Sequence, residues 1–372
     1  MALSTNEQTN GLSEIFQPGS HVLWDGGLGT TLADGFGVNT RSPVWSSQVV
    51  EDSPDILVDC HLQFLQSGAQ VLDTATCASS TFLPDRYPEL ERRYQVAFST
   101  YALANHSRDP ATRLMRTAVF LASVSRARFL STLASTSPSA PPPQIALSLG
   151  AFGATLVPVA HEFDGIYPPP YGPATADRVT FTDAEKAAGL EAKAVEALAD
   201  FHYERLKVFA DDEETWASIG VICFETLPLR KPWLASTVWQ HGRFPEGAAR
   251  DVVDAAFGPD GIDTPVPDAL GVNCTLLGYV RIIVRELGEE LSKTAAGARP
   301  WLALKPNGGE VYDPIKRTWS VLGGEGDGCS WAEGVMDVVK EAEGSGAWAG
   351  YLVGGCCKTS FNEIRGIRDV LS

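Results

Sequence analysis

Ile219-Gly220-Val221-Ile222-Cys223-Phe224-Glu225 is apolar almost throughout and then ends on a carboxylate. A strand with one wet face alternates apolar and polar residues, whereas a continuous apolar run fits a parallel strand covered on both faces. The pattern recurs on either side of this stretch. Strands are expected over 22–25, 70–74, 144–149 and 219–225, then over 233–238, 270–274, 301–305 and 351–353. Between them lie segments of helical periodicity at 55–66, 183–198, 202–209, 280–291 and 331–343. Ser53-Pro54 reads as a helix start, and Ser360 with Glu363 has the spacing of a capping box that opens a last helix. Eight strands alternating with helices predict an α/β fold, a (β/α)8 TIM barrel built as one domain. A doubly wound sheet is the alternative, but the first strand is not followed by G-x-G-x-x-G.

One connection does not suit the barrel. Between Glu225 and the strand expected from Trp233 there are about six residues, which reach roughly 20 Å when extended. A parallel crossover normally carries a helix, so the helix after the fourth strand is expected to be missing. Residues 131–143, 167–173 and 323–328 are rich in Ser, Pro, Tyr or Gly and read as loops.

The chain has 372 residues with 44% hydrophobic and 20% charged positions, enough for a sizeable core. Its net charge of −17 opposes binding to phosphate backbones and anionic lipid, so neither nucleic acid nor membrane is expected as a partner. No run approaches the roughly 18 apolar residues of a membrane span, and the polar start lacks a secretory pattern. A cytoplasmic protein is expected, a monomer or small homo-oligomer, with a polar extension over 1–17 and the barrel over 18–372.

Catalytic groups of such barrels follow the C-terminal ends of the strands. The first strand runs into Asp25-Gly26-Gly27, whose amides suit either an anion such as a carboxylate or a turn requiring positive φ. The second runs into Asp73-Thr74-Ala75-Thr76, with hydroxyls for a substrate or for the strand's own backbone. Glu225 suits a substrate ammonium, acid–base work or a structural ion pair. Seven cysteines are too few and too odd in number for a disulfide scaffold. Cys274 ends the sixth expected strand, and Cys356-Cys357 follow the eighth. If the barrel closes, three thiols meet at one mouth, as in a catalytic zinc site with an open position; otherwise Cys274 is a small buried hydrophobe and the pair is chance. A metal with three thiolates is a poor activator of water but suits binding a fourth thiol and holding it as a nucleophile. His61 and His202 fall in helical stretches and read as surface or satisfied core residues.

Taken together, these motifs resemble the homocysteine S-methyltransferase family. Asp25-Gly26-Gly27, Asp73-Thr74-Ala75-Thr76, the segment 150–156 and Glu225-Thr226-Leu227-Pro228 carry the resemblance. Gly271-Val272-Asn273-Cys274, Pro306-Asn307-Gly308-Gly309-Glu310 with Tyr312-Asp313, and Gly354-Gly355-Cys356-Cys357 complete it in the family's order. The resemblance implies Zn2+ held by Cys274, Cys356 and Cys357, homocysteine as acceptor, and a sulfonium donor, S-methylmethionine or S-adenosylmethionine, giving methionine. It places the amides of Gly26 and Gly27 on the acceptor's carboxylate and Glu225 on its ammonium, with Asp25, Thr76 and Asn273 orienting the site. Gly150-Ala151-Phe152-Gly153 departs from the family's usual Gly-Pro-Tyr-Gly. With the short fourth connection, this keeps open a second reading, a member that binds zinc or homocysteine without turnover.

Overall fold

The structure is a computed structural model. It describes residues 12–40, 45–77, 108–133, 140–155, 167–168, 170–172, 181–225, 248–258, 266–294, 299–313, 318–321 and 328–372. Seven parallel strands organise it: β1 (His21–Leu23), β2 (Val71–Asp73), β3 (Gln144–Leu149), β4 (Val221–Phe224), β5 (Ala269–Leu276), β6 (Trp301–Asn307) and β9 (Tyr351–Val353). They pair in the orders β1-β9-β6-β5 and β2-β3-β4. A parallel bridge between Trp24 and Val71 links the two sheets. The result is an α/β fold whose strands follow chain order around the sheet. All six residues of β3 are buried, as its continuous run predicted, but β4 is not covered on both faces: its Ile222 and Phe224 are exposed. The strand expected over 233–238 lies outside the described residues.

The remaining two strands, β7 (Glu310–Asp313) and β8 (Thr318–Val321), form an antiparallel hairpin with Tyr312 opposite Trp319. Sequence periodicity did not show this hairpin, because four residues per strand are too few to establish a period.

The longer helices lie between the strands: α1 (Leu28–Phe36), α2 (Pro54–Ser67), α3 (Arg108–Leu133), α4 (Leu190–Ala210), α5 (Ala248–Phe257), α6 (Leu277–Leu291), α7 (Gly328–Ser345) and α8 (Phe361–Leu371). Pro54 stands at the start of α2, where its missing N–H is no loss. The helix ends at Gly68, whose φ of 114° only glycine adopts readily. Leu57, Val58, His61, Phe64 and Leu65 give α2 its buried stripe. The capping box of α8 is formed, with Ser360 N donating to Glu363 Oε2 at 2.6 Å.

Three expectations change. Residues 183–209 were read as helices broken near residue 200. Instead the break falls at Gly189, with φ 74°, and α4 runs unbroken through Phe201 and His202. Residues 131–133, read as loop, are the end of α3, a helix the periodicity did not reveal. Between β4 and β5 a helix, α5, is present, and its Val252, Val253 and Phe257 join the main core. The short link between Glu225 and Trp233, where a helix was expected to be missing, lies outside the described residues. At the N-terminal ends of the strands, Ile15 is buried and Phe16 meets Trp301 edge-on at 5.3 Å, so this part of the stretch read as an extension packs under β1 and β6. No helix among the described residues is long and apolar enough to cross a membrane.

Candidate active site and metal centre

Cys274 lies where β5 loses register with β6, between Asn273 and Leu276. Its φ of 50° is left-handed, unusual for a residue with a side chain. Cys356 and Cys357 follow β9 in a loop tied down on several sides. Cys356 N donates to Pro306 O at 2.8 Å, Gly308 N to Cys357 O at 2.9 Å, and Thr359 Oγ1 to Cys356 O at 2.6 Å. Lys358 in the same loop is also left-handed, with φ 62°. It is anchored to Asp34 at 2.7 Å and lies 5.3 Å from the ring of Trp319 on β8.

These two irregular strand ends bring the sulfurs of Cys274, Cys356 and Cys357 to within 4.8 Å of one another. Those of Cys274 and Cys356 are in direct contact, their Cα atoms 5.3 Å apart, and those of Cys356 and Cys357 are 3.9 Å apart. A tetrahedral ion with sulfur ligands at about 2.3 Å holds its sulfurs about 3.8 Å apart. Cys356 and Cys357 have that spacing, whereas Cys274 and Cys356 are closer than two ligands of one ion, so the donor set fits a thiophilic metal in type and would take it once those two sulfurs part.

The two glycines after β1 serve this loop. Gly27 N donates to both the carbonyl and the hydroxyl of Thr359, each at 3.0 Å. A Cβ on Gly27 would overlap the Cys356 carbonyl, and one on Gly26 would lie 2.9 Å from Thr359 O. Close approach, not positive φ, requires glycine here, since Gly27 has φ −71°. The Gly27 amide expected on a substrate carboxylate is thus occupied by Thr359.

The opposite side of the mouth is built from charge. Asp25 and Asp73 are buried, and Lys305 of β6 reaches both: its Nζ contacts Asp73 Oδ2 and lies 3.4 Å from Asp25 Oδ1. Asp25 Oδ2 accepts from Asp73 N at 2.8 Å, and Asp73 Oδ1 from Trp24 Nε1 at 2.9 Å. Burial raises both aspartates to about 6, with Lys305 pulling the other way. For Lys305, burial acts to lower the pKa, but the charges of Asp73, Asp25 and Glu225 outweigh it, and the ammonium is held more firmly than usual.

Glu225 follows β4. Its Oε1 accepts from Ser148 Oγ, and its Oε2 accepts from Asn273 Nδ2 at 3.1 Å. Burial and the Asp73 charge raise its pKa, against Lys305 and these two hydrogen bonds. Asn273 therefore joins the two sides of the mouth: its Nδ2 also lies 3.9 Å from Cys274 Sγ. Thr76 lies within the wall, its hydroxyl donating to Ser148 O at 2.6 Å and meeting that of Thr74 at 2.7 Å. It supports the strand end that carries Ser148.

Lys305, Ser148 and Arg205 were not singled out from the sequence. Lys305 did leave a signal, a cation inside the otherwise apolar run of β6. Arg205 left none. It arrives from α4, fully buried, and its guanidinium donates to Gly150 O at 2.6 Å and to Thr76 O and Cys77 O at 3.0 Å each. His61 and His202 differ from expectation: all four of their ring nitrogens are buried and have no hydrogen-bond partner among the described residues. Burial lowers His61 to about 4, and burial together with Arg205 lowers His202 to about 3.

Comparison with known proteins bears on this geometry. Homocysteine S-methyltransferase 3 of Arabidopsis thaliana is 26% identical over all of this chain and 96% of its own length. The selenocysteine Se-methyltransferase of Brassica oleracea var. italica is 26% identical over 94% of this chain and 89% of its own. Among solved structures, the metallated form of the homocysteine methyltransferase MmuM from Escherichia coli superposes with a TM-score of 0.61. It covers 94% of this chain and 96% of MmuM at 20% identity, a likeness of fold. The homocysteine S-methyltransferase family model matches residues 22–371, both sides of the mouth included, and the chain belongs to that family.

Proposed function

We propose that the protein is a zinc-dependent enzyme that transfers a methyl group from a sulfonium donor to homocysteine, giving methionine, on a closed (β/α)8 barrel spanning residues 18–372. Closure is supported by the sequential strand order and by the Asn273–Glu225 hydrogen bond, which ties the end of β5 to the end of β4. The observation that carries the reaction is the convergence of three thiols beside an oriented carboxylate. Cys274, Cys356 and Cys357 would hold the zinc. When bound, zinc lowers the pKa of the acceptor thiol so that it is a nucleophile at neutral pH.

The remaining roles belong to the chain. Glu225, with Ser148 and Asn273 fixing its two oxygens, receives the ammonium of homocysteine. Gly26 and the open first turn of α1, which has no side-chain cap, offer amides for its carboxylate. Asp25 and Thr76 act from behind, through Lys305 and Ser148 respectively. The acceptor's sulfur attacks the donor's methyl carbon. One sulfur–carbon bond forms as the other breaks, the donor leaves as a neutral thioether, and the thiol proton passes to solvent. S-methylmethionine and S-adenosylmethionine are the donors to test. A reducing compartment such as the cytoplasm suits a site built of thiols.

Incubation of zinc-loaded protein with homocysteine and each donor in turn is expected to yield methionine, and a chelator is expected to abolish it. Zinc-loaded protein that binds homocysteine but forms no methionine with either donor would establish binding without turnover instead.

A further inference from the structure

Among the described residues three carboxylates face the mouth, Asp25 and Asp73 buried and Glu225 partly so, and they are not equivalent. Every oxygen of Asp25 and Asp73 has a donor inside the protein. Lys305 Nζ serves one oxygen of each, Asp73 N serves the second of Asp25, and Trp24 Nε1 the second of Asp73. The ammonium also lies 4.7 Å from the centre of the Trp24 ring, on the same side chain that anchors Asp73. Glu225 has only the uncharged donors Ser148 and Asn273, and no cation pairs with it among the described residues. Arg205, the other buried cation nearby, is turned onto backbone carbonyls.

We propose that Lys305 is a positioning residue for the acceptor's ammonium: it occupies Asp25 and Asp73 and leaves Glu225 as the one carboxylate open to an aminothiol. This rests on homocysteine being the acceptor. Lys305 is not itself a base, because three carboxylates hold its proton. It acts on Glu225 at a distance, since its charge favours the ionised form of that side chain. Without it, Glu225 takes up a proton more readily, and Asp25 and Asp73 become rival acceptors for the substrate's ammonium. Among the described residues the titratable groups around the cluster are Asp25, Asp73, Glu225 and Arg205, with the thiols Cys60 and Cys223. Burial raises the pKa of both thiols, which are neutral at working pH.

The test uses zinc-loaded wild type, K305M and K305R. Calorimetry measures the affinity of each for homocysteine and for 4-mercaptobutanoate, which has the same thiol and carboxylate but no ammonium. The preference for homocysteine is expected to fall by at least about tenfold in K305M, the weight of one charge-assisted hydrogen bond, and to return in K305R. A purely structural role would weaken both ligands alike and leave the ratio unchanged, and that result overturns the proposal. A preference that rises in K305M overturns it equally.

Where K305M folds poorly, the pH titration of the Trp24 indole N–H by NMR, assigned with W24F, compares wild type with K305R. A midpoint near 6 in both is expected, and a midpoint displaced by a unit or more in K305R would show that Lys305 does not act as a charge. Failure of the acceptor reading looks different: wild type would bind neither ligand in preference.

Discussion

The two halves of the mouth are built on opposite principles. On the side of β5 and β9, three soft donors converge, and two left-handed residues, Cys274 and Lys358, mark the backbone distortion that brings them there. On the side of β1, β2 and β4, the charges are closed upon one another, with Lys305 between Asp25 and Asp73 and with Glu225 held by Ser148 and Asn273. The thiol half is arranged by backbone, the carboxylate half by side-chain pairing. The first suits a ligand that supplies its own strong bonds. The second suits one that must be oriented, because donors already in place need no rearrangement when charge arrives.

Removing a thiol should produce the largest effect. Cys274→Ala, Cys356→Ala and Cys357→Ala each delete one donor from a site whose binding free energy is of the order of 10–16 kcal/mol over four ligands, so zinc affinity should fall by at least about 100-fold. Metal content after dialysis and methionine formation should fall together. A variant that is active and free of zinc would break the distinction between a thiol half and an orienting carboxylate half.

A smaller effect should follow on the other side. Glu225→Gln keeps the shape and the Ser148 contact but loses the charge, which is worth about 1.5–3 kcal/mol in a hydrogen bond to an ammonium. KM for homocysteine should rise by about 10- to 100-fold, with zinc content unchanged. Loss of zinc in this variant would mean that the two halves are coupled through Asn273 and not separable.

The smallest effect concerns the wall behind Glu225, where His202 packs edge-on against Phe224 at 5.1 Å. Its folded pKa, about 3, is below its ordinary 6.5, so the native state refuses a proton that the unfolded chain accepts. The stability associated with the neutral ring is intact above pH 6.5 and is lost as pH falls toward 3. The slope is at most about 1.4 kcal/mol per pH unit. Denaturant unfolding of His202→Phe should show a shallower acid decline than wild type over this window. Parallel curves would show that the ring is not buried in the neutral form.

The difference between the halves is also a difference in legibility. Gly271-Val272-Asn273-Cys274 and Gly354-Gly355-Cys356-Cys357 pointed to a thiol centre because strand ends in an α/β sheet share one rim, although spacing alone left a small buried hydrophobe and a chance pair as the other reading. The strands themselves were legible for a local reason, their unbroken apolar runs: β3 and β9 have the bounds expected of them. Lys305, Asp25 and Asp73 are separated by 48 and 232 residues, and no local pattern says which cation will meet which carboxylate. Arg205, in a stretch read only as helical, was invisible for the same reason. The glycine pair after β1 was noticed but read as a ligand cradle or a turn. Its real constraint, the approach of Cys356 and Thr359, comes from the far end of the chain.

The amino-acid sequence by itself thus determined the α/β class, the order of most strands and the identity of three converging thiols, since each depends on patterns within a few residues and on the common rim of parallel strands. Tertiary structure alone decided which groups are neutralised and which stay open, because charges in a buried site are paired by proximity in space across hundreds of residues. In this mouth that pairing leaves Glu225 oriented by neutral donors while Lys305 occupies its two neighbours.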